Sequence, residues 1–488
     1  MNSLKYLSKL YVGGKWIASS GSKLYSVINP TSASEICQVV DANTKDVDSA
    51  VEAAKAAFET GPWYNLESGA SRRDSLLKIS HLIEQNKNLL AEVESINTGK
   101  IISDSLWEIQ DCADLFKFYA GFADKLSSRY VSYGTLNQLE MHTIKEPIGV
   151  CGMISSFNYP LNLVSWKIAP ALAMGNTVVV KPAPQTPLSL LLFAHLLDEA
   201  SILPKGVFNV VTGGVEPGAA MVNNPNINKI SFTGSLNGGR AVNKSAAASA
   251  NFKGVTLELG GKSPVVVMDD ADLDNAVENI ILGIFSNAGM NCSAGSKLYI
   301  QKGAYDKLLQ LLVKRAQSIS QTITSDFKTS SMGPLIDSIL MNKVETLVQQ
   351  AISSKDATLL SGGKRWSGAP GYYYEPTILT NVKQDSPISK TEIFGPVLCV
   401  MEPISDLDEV INIESRSEFG LASAIFSSSS KSIHKFKRNM KAGTCWVNMY
   451  NLCTPDLPFG GFKNSGFGKE LGHEVINEYY TERSYKKR

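Results

Sequence analysis

Apolar residues in the first part of the chain recur at the spacing of amphipathic helices. Val47 and Val51, four positions apart, belong to such a pattern over residues 44–60, and a Gly-Pro pair follows it directly. Similar apolar spacing occurs over residues 71–97 and over residues 102–123. The pattern therefore predicts three long helices in the first quarter of the chain.

The middle of the chain alternates short apolar runs with helical patterns. The predicted strands are residues 176–181, 207–212, 229–232, 264–268 and 297–300, and the predicted helices are residues 188–199, 273–288 and 304–319. Short apolar strands separated by helices favour parallel βαβ units with helices on both faces of the sheet. We therefore predict an α/β fold with two such regions that meet near residues 258–264, where a cleft is expected.

Composition limits the classes of partner. The chain has 488 residues, enough for two or three domains, and its 43 % hydrophobic and 19 % charged residues are typical of globular proteins. The 47 basic and 46 acidic side chains give a net charge of +1, so neither nucleic acid nor an anionic membrane is an expected partner. No apolar run reaches membrane-spanning length, and the first residues do not resemble a signal peptide.

Cysteine and histidine usage indicates a reducing compartment. The seven cysteines are scattered, with no C-x-x-C pair, and none of the five histidines has metal-ligand spacing. We therefore expect a cytoplasmic protein without disulfides and without a bound transition metal.

One thiol and one carboxylate are candidates for covalent catalysis. Cys292 lies in a run of small and polar residues with no second cysteine nearby, and Glu258 lies between an apolar strand and a glycine turn. A covalent acyl transfer needs such a nucleophile and a base that activates water. Taken singly, however, a cysteine is more often a small buried hydrophobic residue and a strand glutamate is more often paired.

Two further runs have features of a nucleotide site, although the G-x-G-x-x-G fingerprint is not clearly present. Lys181 ends an apolar strand and can reach a ribose or a phosphate. Gly234 and Ser235 follow another strand and allow close approach of the backbone to a pyrophosphate. In isolation, a solvated lysine and an ordinary glycine turn explain the two runs better than a nucleotide site does.

Taken together, these runs resemble the aldehyde dehydrogenase superfamily. The resemblance extends from residue 11 to the end, and the matching runs are residues 155–162, 181–187, 232–239, 255–264, 287–296, 390–397 and 458–463. It implies a Rossmann-like cofactor domain (residues 1–127 and 148–258), an α/β catalytic domain (residues 259–465) and a small β oligomerisation arm (residues 128–147 and 466–488). Because the family's arm pairs subunits, the resemblance implies a homodimer or homotetramer.

The resemblance also implies an activity, the NAD(P)-dependent oxidation of an aldehyde to its carboxylic acid. Cys292 would form a thiohemiacetal and then a thioester, and Asn158 with the Cys292 backbone N–H would hold the oxyanion. Glu258 would activate water, and Lys167 and Glu470 match positions linked to proton relay, although a surface lysine and a surface glutamate are nearly as plausible. No cation is adjacent to Cys292 in sequence, so we expect a helix N-terminus to lower the pKa of its thiol.

Ten residues match the family's cofactor positions: Ser155, Phe157, Lys181, Pro184, Gly214, Gly234, Ser235, Leu259, Glu392 and Phe394. By resemblance, Lys181 binds the adenosine ribose, Ser235 faces the pyrophosphate and Glu392 binds the nicotinamide ribose. Pro184 stands where many NAD-specific members have a glutamate, which leaves NADP possible. NAD is favoured because no arginine cluster near Lys181 offers a clamp for a 2′-phosphate.

Six residues are expected to line the substrate tunnel: Tyr159, Trp166, Ser286, Asn291, Cys453 and Phe459. The aromatic residues suit an apolar or a cationic aldehyde tail. Asp104, Glu108 and Asp111 share one helix face, which favours a solvated surface; the alternative is the acidic entrance of aminoaldehyde and betaine aldehyde members. Ser286 replaces a tryptophan of some betaine-type members, so the substrate is left open.

Two other functions are compatible with the same sequence. An acyl-transferring relative would pass the thioester to coenzyme A, but such members usually lack the base that Glu258 provides. A non-catalytic homologue would keep only the fold, which the retention of Asn158, Glu258 and Cys292 disfavours.

Overall fold

The computed structural model describes residues 8–63, 69–132 and 140–487. The strands in these ranges are β1 (Leu10–Val12), β2 (Lys15–Ile17), β3 (Leu24–Asn29), β4 (Ser34–Val40), β5 (Tyr130–Ser132), β6 (Glu140–Pro147), β7 (Val150–Ile154), β8 (Thr177–Lys181), β9 (Phe208–Val210), β10 (Lys229–Thr233), β11 (Gly254–Glu258), β12 (Pro264–Val267), β13 (Lys297–Ile300), β14 (Thr358–Ser361), β15 (Thr377–Val382), β16 (Val397–Met401), β17 (Phe419–Gly420), β18 (Ala422–Phe426), β19 (Thr444–Val447), β20 (Phe462–Lys463), β21 (Gly466–Phe467) and β22 (Tyr480–Lys487). The α-helices are α1 (Thr44–Thr60), α2 (Ala70–Gln85), α3 (Lys87–Thr98), α4 (Ile102–Ala120), α5 (Pro160–Ala173), α6 (Leu188–Ala200), α7 (Val215–Asn223), α8 (Leu236–Ala248), α9 (Leu273–Phe285), α10 (Tyr305–Gln321), α11 (Ser338–Ser353), α12 (Pro387–Lys390), α13 (Leu407–Ser415) and α14 (Ser430–Asn439).

The first predicted helix has the expected bounds, and its local chemistry explains them. The Asn43 side chain accepts hydrogen bonds from the backbone N–H groups of Lys45 and Asp46, and the Asp46 carboxylate accepts from the Asn43 N–H. This capping box fixes the start of α1. The helix predicted over residues 71–97 is instead two helices, α2 and α3. They are separated at Asn86, whose backbone (φ −105°, ψ 14°) is not helical.

The first large sheet has the strand order β2-β1-β9-β8-β7-β10-β11-β21. Its central strands, from β9 to β11, are parallel, and β1, β2 and β21 add antiparallel edges. The chain places β8 and β9 on one side of β7 and then crosses to β10 and β11 on the other. A crevice forms at such a switch point, outside the carboxyl ends of the strands.

The second large sheet has the order β14-β15-β16-β13-β12-β18-β19 and is parallel except for the pair β14–β15. β12, β13, β16 and β18 are buried along their whole length. Strands covered on both faces appear in sequence as continuous apolar runs, which is why β12 and β13 were predicted. β16 and β18 share this feature but were not predicted. The prediction of an α/β fold is confirmed.

A three-stranded sheet of order β22-β6-β5 stands apart from the two large sheets. β22 pairs antiparallel with β6 from Tyr480 opposite Pro147 to Lys487 opposite Glu140, and most of β22 is exposed. Residues 466–467, which the sequence division gives to the arm, form β21 and pair with β11 in the first sheet. Within the described ranges, therefore, the C-terminal strand of the small sheet begins at Tyr480.

Within the described part of the chain, no helix combines the length and the hydropathy that spanning a membrane requires.

Candidate active site

The switch point of the first sheet opens into a cavity of about 190 Å³. Nine residues predicted from the sequence line it: Phe157, Asn158, Gly234, Ser235, Glu258, Leu259, Cys292, Glu392 and Phe394. Five lining residues were not predicted: Ser156, Thr233, Gly260, Leu340 and Lys343. Because β7, β10 and β11 are parallel neighbours, the residues that follow them meet at one edge of the sheet.

A left-handed turn brings Cys292 to this cavity. The helix predicted over residues 273–288 ends at Phe285, so its last turn was predicted wrongly. Asn287, Ala288 and Gly289 have φ values of 49°, 52° and 72°, and this left-handed run reverses the chain. Asparagine tolerates that conformation and glycine adopts it freely, but alanine is strained there. The turn therefore directs the following residues away from the helix axis.

The Cys292 thiol is partly exposed and has a weak local partner. Its Sγ lies 3.8 Å from Oδ1 of Asn291, the side chain that also caps the next turn. Burial raises the pKa of the thiol, and the nearby acids Glu258 and Glu392 raise it further. Cys292 lies in a turn between the left-handed run and β13, so its own segment supplies no helix N-terminus to the thiol.

Glu258 ends β11 with a buried carboxyl group. Neither of its oxygens has a hydrogen-bond partner among the described residues. Burial raises the pKa of Glu258 well above its ordinary value, and the carboxylate of Glu470 raises it further, while Lys167 and Lys469 act in the opposite direction. A base with a raised pKa has more affinity for a proton than an exposed carboxylate has.

Lys167 and Glu470 form a buried ion pair beside Glu258, although they are 303 positions apart in sequence. The Lys167 ammonium also donates to Oγ1 of Thr233 over 2.6 Å, and the Ser231 hydroxyl donates to Glu470 over 2.9 Å. Their side chains have relative exposures of 0 % and 2 %, so the alternative of two surface residues is wrong.

Asn158 presents its amide to the cavity from the loop after β7. No described group accepts a hydrogen bond from its Nδ2, and its Oδ1 is buried without a described partner. Its backbone carbonyl, in contrast, accepts from Nζ of Lys100 over 2.9 Å and from Nδ2 of Asn287 over 2.8 Å. The residue is therefore held by its backbone, and its amide is available as a donor.

Glycine backbones bound the cavity at three points where a side chain would not fit. A Cβ on Gly261 would lie 2.5 Å from the Cys292 carbonyl oxygen, and one on Gly460 would lie 2.5 Å from Oε1 of Glu258. A Cβ on Gly260 would overlap the carboxylate of Glu392. The Cys292 backbone and the carboxyl groups of both acids therefore pack directly against main chain.

The far end of the crevice is formed by residues after β8, β9 and β10. Lys181 is buried, and its ammonium donates to the carbonyls of Pro182 and Gly213, each over 2.9 Å. Burial lowers the pKa of Lys181 to about 8. Ser235 caps α8, where its hydroxyl accepts from the Gly238 N–H. A helix N-terminus of this kind attracts anions.

An acid that was not predicted lies beside Lys181. Asp41 accepts a hydrogen bond from the Gly214 N–H over 3.0 Å and pairs with Lys23 over 2.5 Å. It lies close enough to Lys181 to raise the pKa of that ammonium. Pro184 occupies the turn between β8 and α6.

Ser155 is the first residue after β7 and lies at the margin of this cavity rather than among its lining residues. Its backbone N–H donates to the carbonyl of Lys181 over 3.1 Å. The serine therefore ties the loop after β7 to the end of β8.

The near end of the cavity has an acid and two aromatic rings. One oxygen of Glu392 accepts from the Gly261 N–H over 3.0 Å, and the Phe394 ring packs edge-to-face on Phe157 with centroids 5.7 Å apart. Lys343 donates to the Glu392 backbone carbonyl over 2.8 Å. This lysine was missed because nothing in the pattern of α11 distinguishes it from a solvated lysine.

These groups fit a dinucleotide. The capped N-terminus of α8 suits a pyrophosphate, and the charged groups of Glu392 and Lys181 suit ribose hydroxyls. Glu392 lines the cavity, whereas Lys181 lies at the end of β8, outside the lining residues. Gly214 has open space on its Cβ side, so a ligand can approach its backbone closely. The residues that would hold NAD are therefore present.

Two of the predicted substrate residues form an aromatic pair. The rings of Trp166 and Phe459 meet edge-to-face with centroids 5.3 Å apart. Cys453 is partly buried and lies close enough to Cys292 to raise the pKa of that thiol. Tyr159 lies under the ammonium of Lys100, 4.5 Å from its ring centroid.

The other two predicted substrate residues have structural surroundings. Asn291 donates to Oδ1 of Asn451 over 2.8 Å and accepts from Ser293, so its side chain is occupied in the turn after Cys292. Ser286 is the residue directly after α9, at the start of the left-handed turn.

The acidic face of α4 is not solvated, so that interpretation of the sequence was wrong. Glu108 is 1 % exposed and pairs with Lys100. Asp104 is partly buried, and burial raises the pKa of its carboxyl group. Asp111 accepts from Nδ2 of Asn162 over 2.7 Å. Helical spacing placed these acids on one face correctly, but it does not reveal which face is covered.

Comparison with known proteins gives a consistent result. The profile described as "Aldehyde dehydrogenase family" matches residues 16–485. Retinal dehydrogenase 2 of Homo sapiens is 40 % identical over 481 residues (98 % of this chain and 90 % of that protein). Betaine aldehyde dehydrogenase of Bacillus subtilis is 41 % identical over 474 residues (96 % and 95 %).

A solved structure agrees with these sequence matches. The NAD⁺ complex of an aldehyde dehydrogenase from Bacillus cereus superposes with a TM-score of 0.94 at 37 % identity and covers 99 % of this chain and 98 % of that one. The family resemblance inferred from the sequence is confirmed, as are an aldehyde-oxidising activity and NAD as cofactor.

Proposed function

The chain belongs to the aldehyde dehydrogenase family, and from that membership we propose how its own residues divide the oxidation of an aldehyde to a carboxylic acid. Cys292 is the nucleophile, Asn158 donates to the oxyanion and Glu258 is the base. One observation carries this assignment: all three side chains line the same cavity, together with Glu392. Bound NAD supplies the acceptor for the hydride that leaves the substrate carbon.

In the first half-reaction the Cys292 sulfur adds to the carbonyl carbon. A C–S bond forms, and the carbonyl electron pair moves to oxygen. Nδ2 of Asn158 and the backbone N–H of Cys292 hold this oxyanion, since neither donates to a described acceptor. Cys292 reacts as its thiolate, and because the thiol is partly exposed its proton is lost to water before the addition.

In the second half-reaction water adds to the thioester and the C–S bond breaks. Glu258 takes the proton from that water, and the carboxylic acid leaves as the Cys292 sulfur is released. The buried pair of Lys167 and Glu470 lies next to Glu258 and, with the hydroxyl of Thr233, offers a route for the proton away from the cavity.

The assignment is tested by the absorbance of reduced cofactor with an aldehyde, NAD and no coenzyme A. We expect turnover in this mixture, no turnover in the Cys292→Ala variant, and unchanged turnover in Cys445→Ala, which removes an exposed free thiol elsewhere. A signal that requires coenzyme A would favour the acyl-transferring alternative. Normal turnover of Cys292→Ala would remove this thiol from the mechanism.

We propose a preference for NAD over NADP that is due to Asp41. Family members that prefer NAD often carry an acid where this chain has Pro184, and Asp41 supplies a negative charge from another direction, beside Lys181 and Gly214. A ribose 2′-phosphate near Lys181 would be repelled by that charge. The pairing of Asp41 with Lys23 weakens but does not remove the repulsion, because the lysine is largely exposed.

For the substrate we propose an aldehyde with a positively charged tail. The aromatic pair of Trp166 and Phe459 suits a cation through its ring faces, and Asp111 lies close enough to Cys453 to raise the pKa of its thiol. Cys453 is in turn close enough to Cys292 to raise the pKa of that thiol, which supports a place for Asp111 in the neighbourhood of the nucleophile. A relative of this chain is named betaine aldehyde dehydrogenase.

The substrate proposal is tested with two aldehydes of equal shape. Betaine aldehyde and 3,3-dimethylbutanal differ in having nitrogen or carbon at the quaternary centre, so they differ in charge alone. We expect kcat/KM to favour the cation at least tenfold and Asp111→Asn to reduce that ratio, because the lost attraction is worth about 1 kcal/mol or more. Equal or reversed preference would instead indicate an apolar substrate.

We also propose the division into a cofactor domain (residues 1–127 and 148–258), a catalytic domain (residues 259–465) and an arm that contains residues 128–147 and β22. The outer edge of β22 has no partner strand in the described part of the chain, and an exposed edge favours pairing with another subunit. A homodimer or homotetramer is tested by light scattering. A cytoplasmic location is supported by the odd number of cysteines.

A further inference from the structure

A buried lysine lies behind the cavity and contacts the residue to which we assign the oxyanion. Lys100 follows Gly99, which ends α3 in the left-handed conformation (φ 77°). The Lys100 side chain has no exposed surface, and its ammonium forms an ion pair with Glu108 of α4. The same Nζ donates to the backbone carbonyl of Asn158 over 2.9 Å.

The carbonyl of Asn158 is fully occupied by two buried donors. Lys100 supplies one and Nδ2 of Asn287, at 2.8 Å, supplies the other, so both lone pairs of the oxygen are used. The Asn158 side chain has no described hydrogen-bond partner of its own. The direction in which its amide points is therefore fixed through the backbone, by Lys100 and Asn287.

Three acidic residues lie near Lys100. They are Glu94, Asp104 and Glu108, and the ammonium counteracts the rise in the pKa of each carboxyl that burial causes. A hydrogen bond from an ammonium is shorter and stronger than one between neutral groups. The contact from Lys100 to the Asn158 carbonyl is therefore one of the stronger kind.

The same contacts connect the oxyanion loop to the nucleophile turn. Asn287 belongs to the left-handed turn before Cys292, and its Nδ2 donates to the same Asn158 carbonyl that Lys100 contacts. This carbonyl therefore joins Lys100, which lies just before α4, to the turn that precedes the nucleophile.

We propose that Lys100 is a positioning residue for the oxyanion, which fixes the Asn158 backbone so that the amide faces the carbonyl oxygen of the aldehyde. It acts through Asn158 and does not touch the substrate. The proposal rests on the proposed role of Asn158 as the oxyanion donor.

The test is the rate constant of the pre-steady-state burst of reduced cofactor, measured with saturating NAD and aldehyde. Lys100→Met keeps the length of the side chain and removes the charge. We expect the burst to slow about 10- to 100-fold, because a displacement of about 1 Å at a reacting group costs about that much. The affinity for NAD, measured by fluorescence quenching, should not change.

Lys297→Met is the matched control. Lys297 also forms a buried pair with a glutamate, Glu414, at 2.5 Å, but it lies in the second sheet on β13 and does not contact Asn158. We expect the burst rate constant of Lys297→Met to remain within about twofold of that of the parent. The control thereby separates the general effect of losing a buried ion pair from the loss of positioning.

A double-mutant cycle distinguishes positioning from an independent structural role. Asn158→Ala alone should slow the burst about 10²- to 10³-fold, as the loss of an oxyanion donor does. If Lys100 acts through Asn158, adding Lys100→Met to that variant causes little further loss. Multiplicative losses would overturn the proposal. An unchanged burst in Asn158→Ala would instead overturn the role of Asn158 itself.

Folding of the variant is checked by circular dichroism. If Lys100→Met does not fold, Glu108→Leu is added to it. The double variant removes the whole ion pair, so no buried carboxylate is left without its partner. That variant is expected to fold and to slow the burst like the single change. A folded double variant with the parental burst rate constant would refute the proposal.

Discussion

The Glu258→Gln variant separates the two half-reactions. Both oxygens of Glu258 lack a described partner, so the substitution exchanges one buried, unpartnered polar group for another of the same shape. We therefore expect the free energy of unfolding to change by less than about 1 kcal/mol. An effect on turnover then reports lost proton transfer and not a damaged fold.

The expected magnitude follows from the role of the carboxylate. A positioned general base contributes about 10²- to 10⁴-fold, so steady-state turnover should fall by that factor while one equivalent of reduced cofactor per site still appears in the burst. Stopped-flow absorbance of the reduced cofactor measures both phases in one trace.

The pH dependence gives a second, independent readout. Burial and Glu470 raise the pKa of Glu258, and below that pKa the residue is protonated and cannot accept a proton. The steady-state rate of the parent should therefore rise as the pH rises through this pKa, and the same limb should be absent from the variant. Parental steady-state turnover in Glu258→Gln, or a variant that keeps the pH limb, would refute the assignment.

Three other substitutions test neighbouring parts of the site. Glu470→Gln removes a negative charge next to Glu258 and leaves the adjacent ammonium unbalanced, so the pH limb of steady-state turnover should move to lower pH; movement to higher pH would contradict the electrostatic argument. Asp41→Asn should raise kcat/KM for NADP at least tenfold while that for NAD changes less, as measured by initial rates; an unchanged ratio would exclude this acid as the determinant. Gly261→Ala places a Cβ 2.5 Å from the Cys292 carbonyl oxygen, so it should lower kcat at least about tenfold in a folded protein. Gly254→Ala is the control: its Cβ would lie 3.6 Å from the nearest neighbouring atom, and kcat should not change.

The repeating elements were predictable from the sequence because their causes are local. The start of α1 depends on Asn43 and Asp46, three positions apart, and strands such as β8, β12 and β13 are buried, largely apolar runs. The break at Asn86 and the end of α9 at Phe285 were missed, since apolar spacing continues past both points. The left-handed turn after Phe285 is stabilised by contacts with distant loops, which no local pattern reveals.

The site was predictable only where a family motif marks it. Cys292, Glu258 and Asn158 were expected from their motifs, and they do line one cavity. Lys100 was missed, because its function depends on a contact 58 positions away and its own neighbours look like an ordinary helix end. Asp41 was missed for the same reason: its partner Gly214 is 173 positions away.

The three glycine contacts around the reaction centre have a consequence for protein engineering. The backbone of Cys292 and the carboxyl groups of two acids rest on bare main chain at Gly261, Gly260 and Gly460, so there is no side-chain wall there to trim or enlarge. A mutant library aimed at new aldehydes should hold these three codons constant and randomise the aromatic positions Trp166 and Phe459. Clones with a larger residue at any of the three glycines are expected to drop out of selection, whatever substrate is offered.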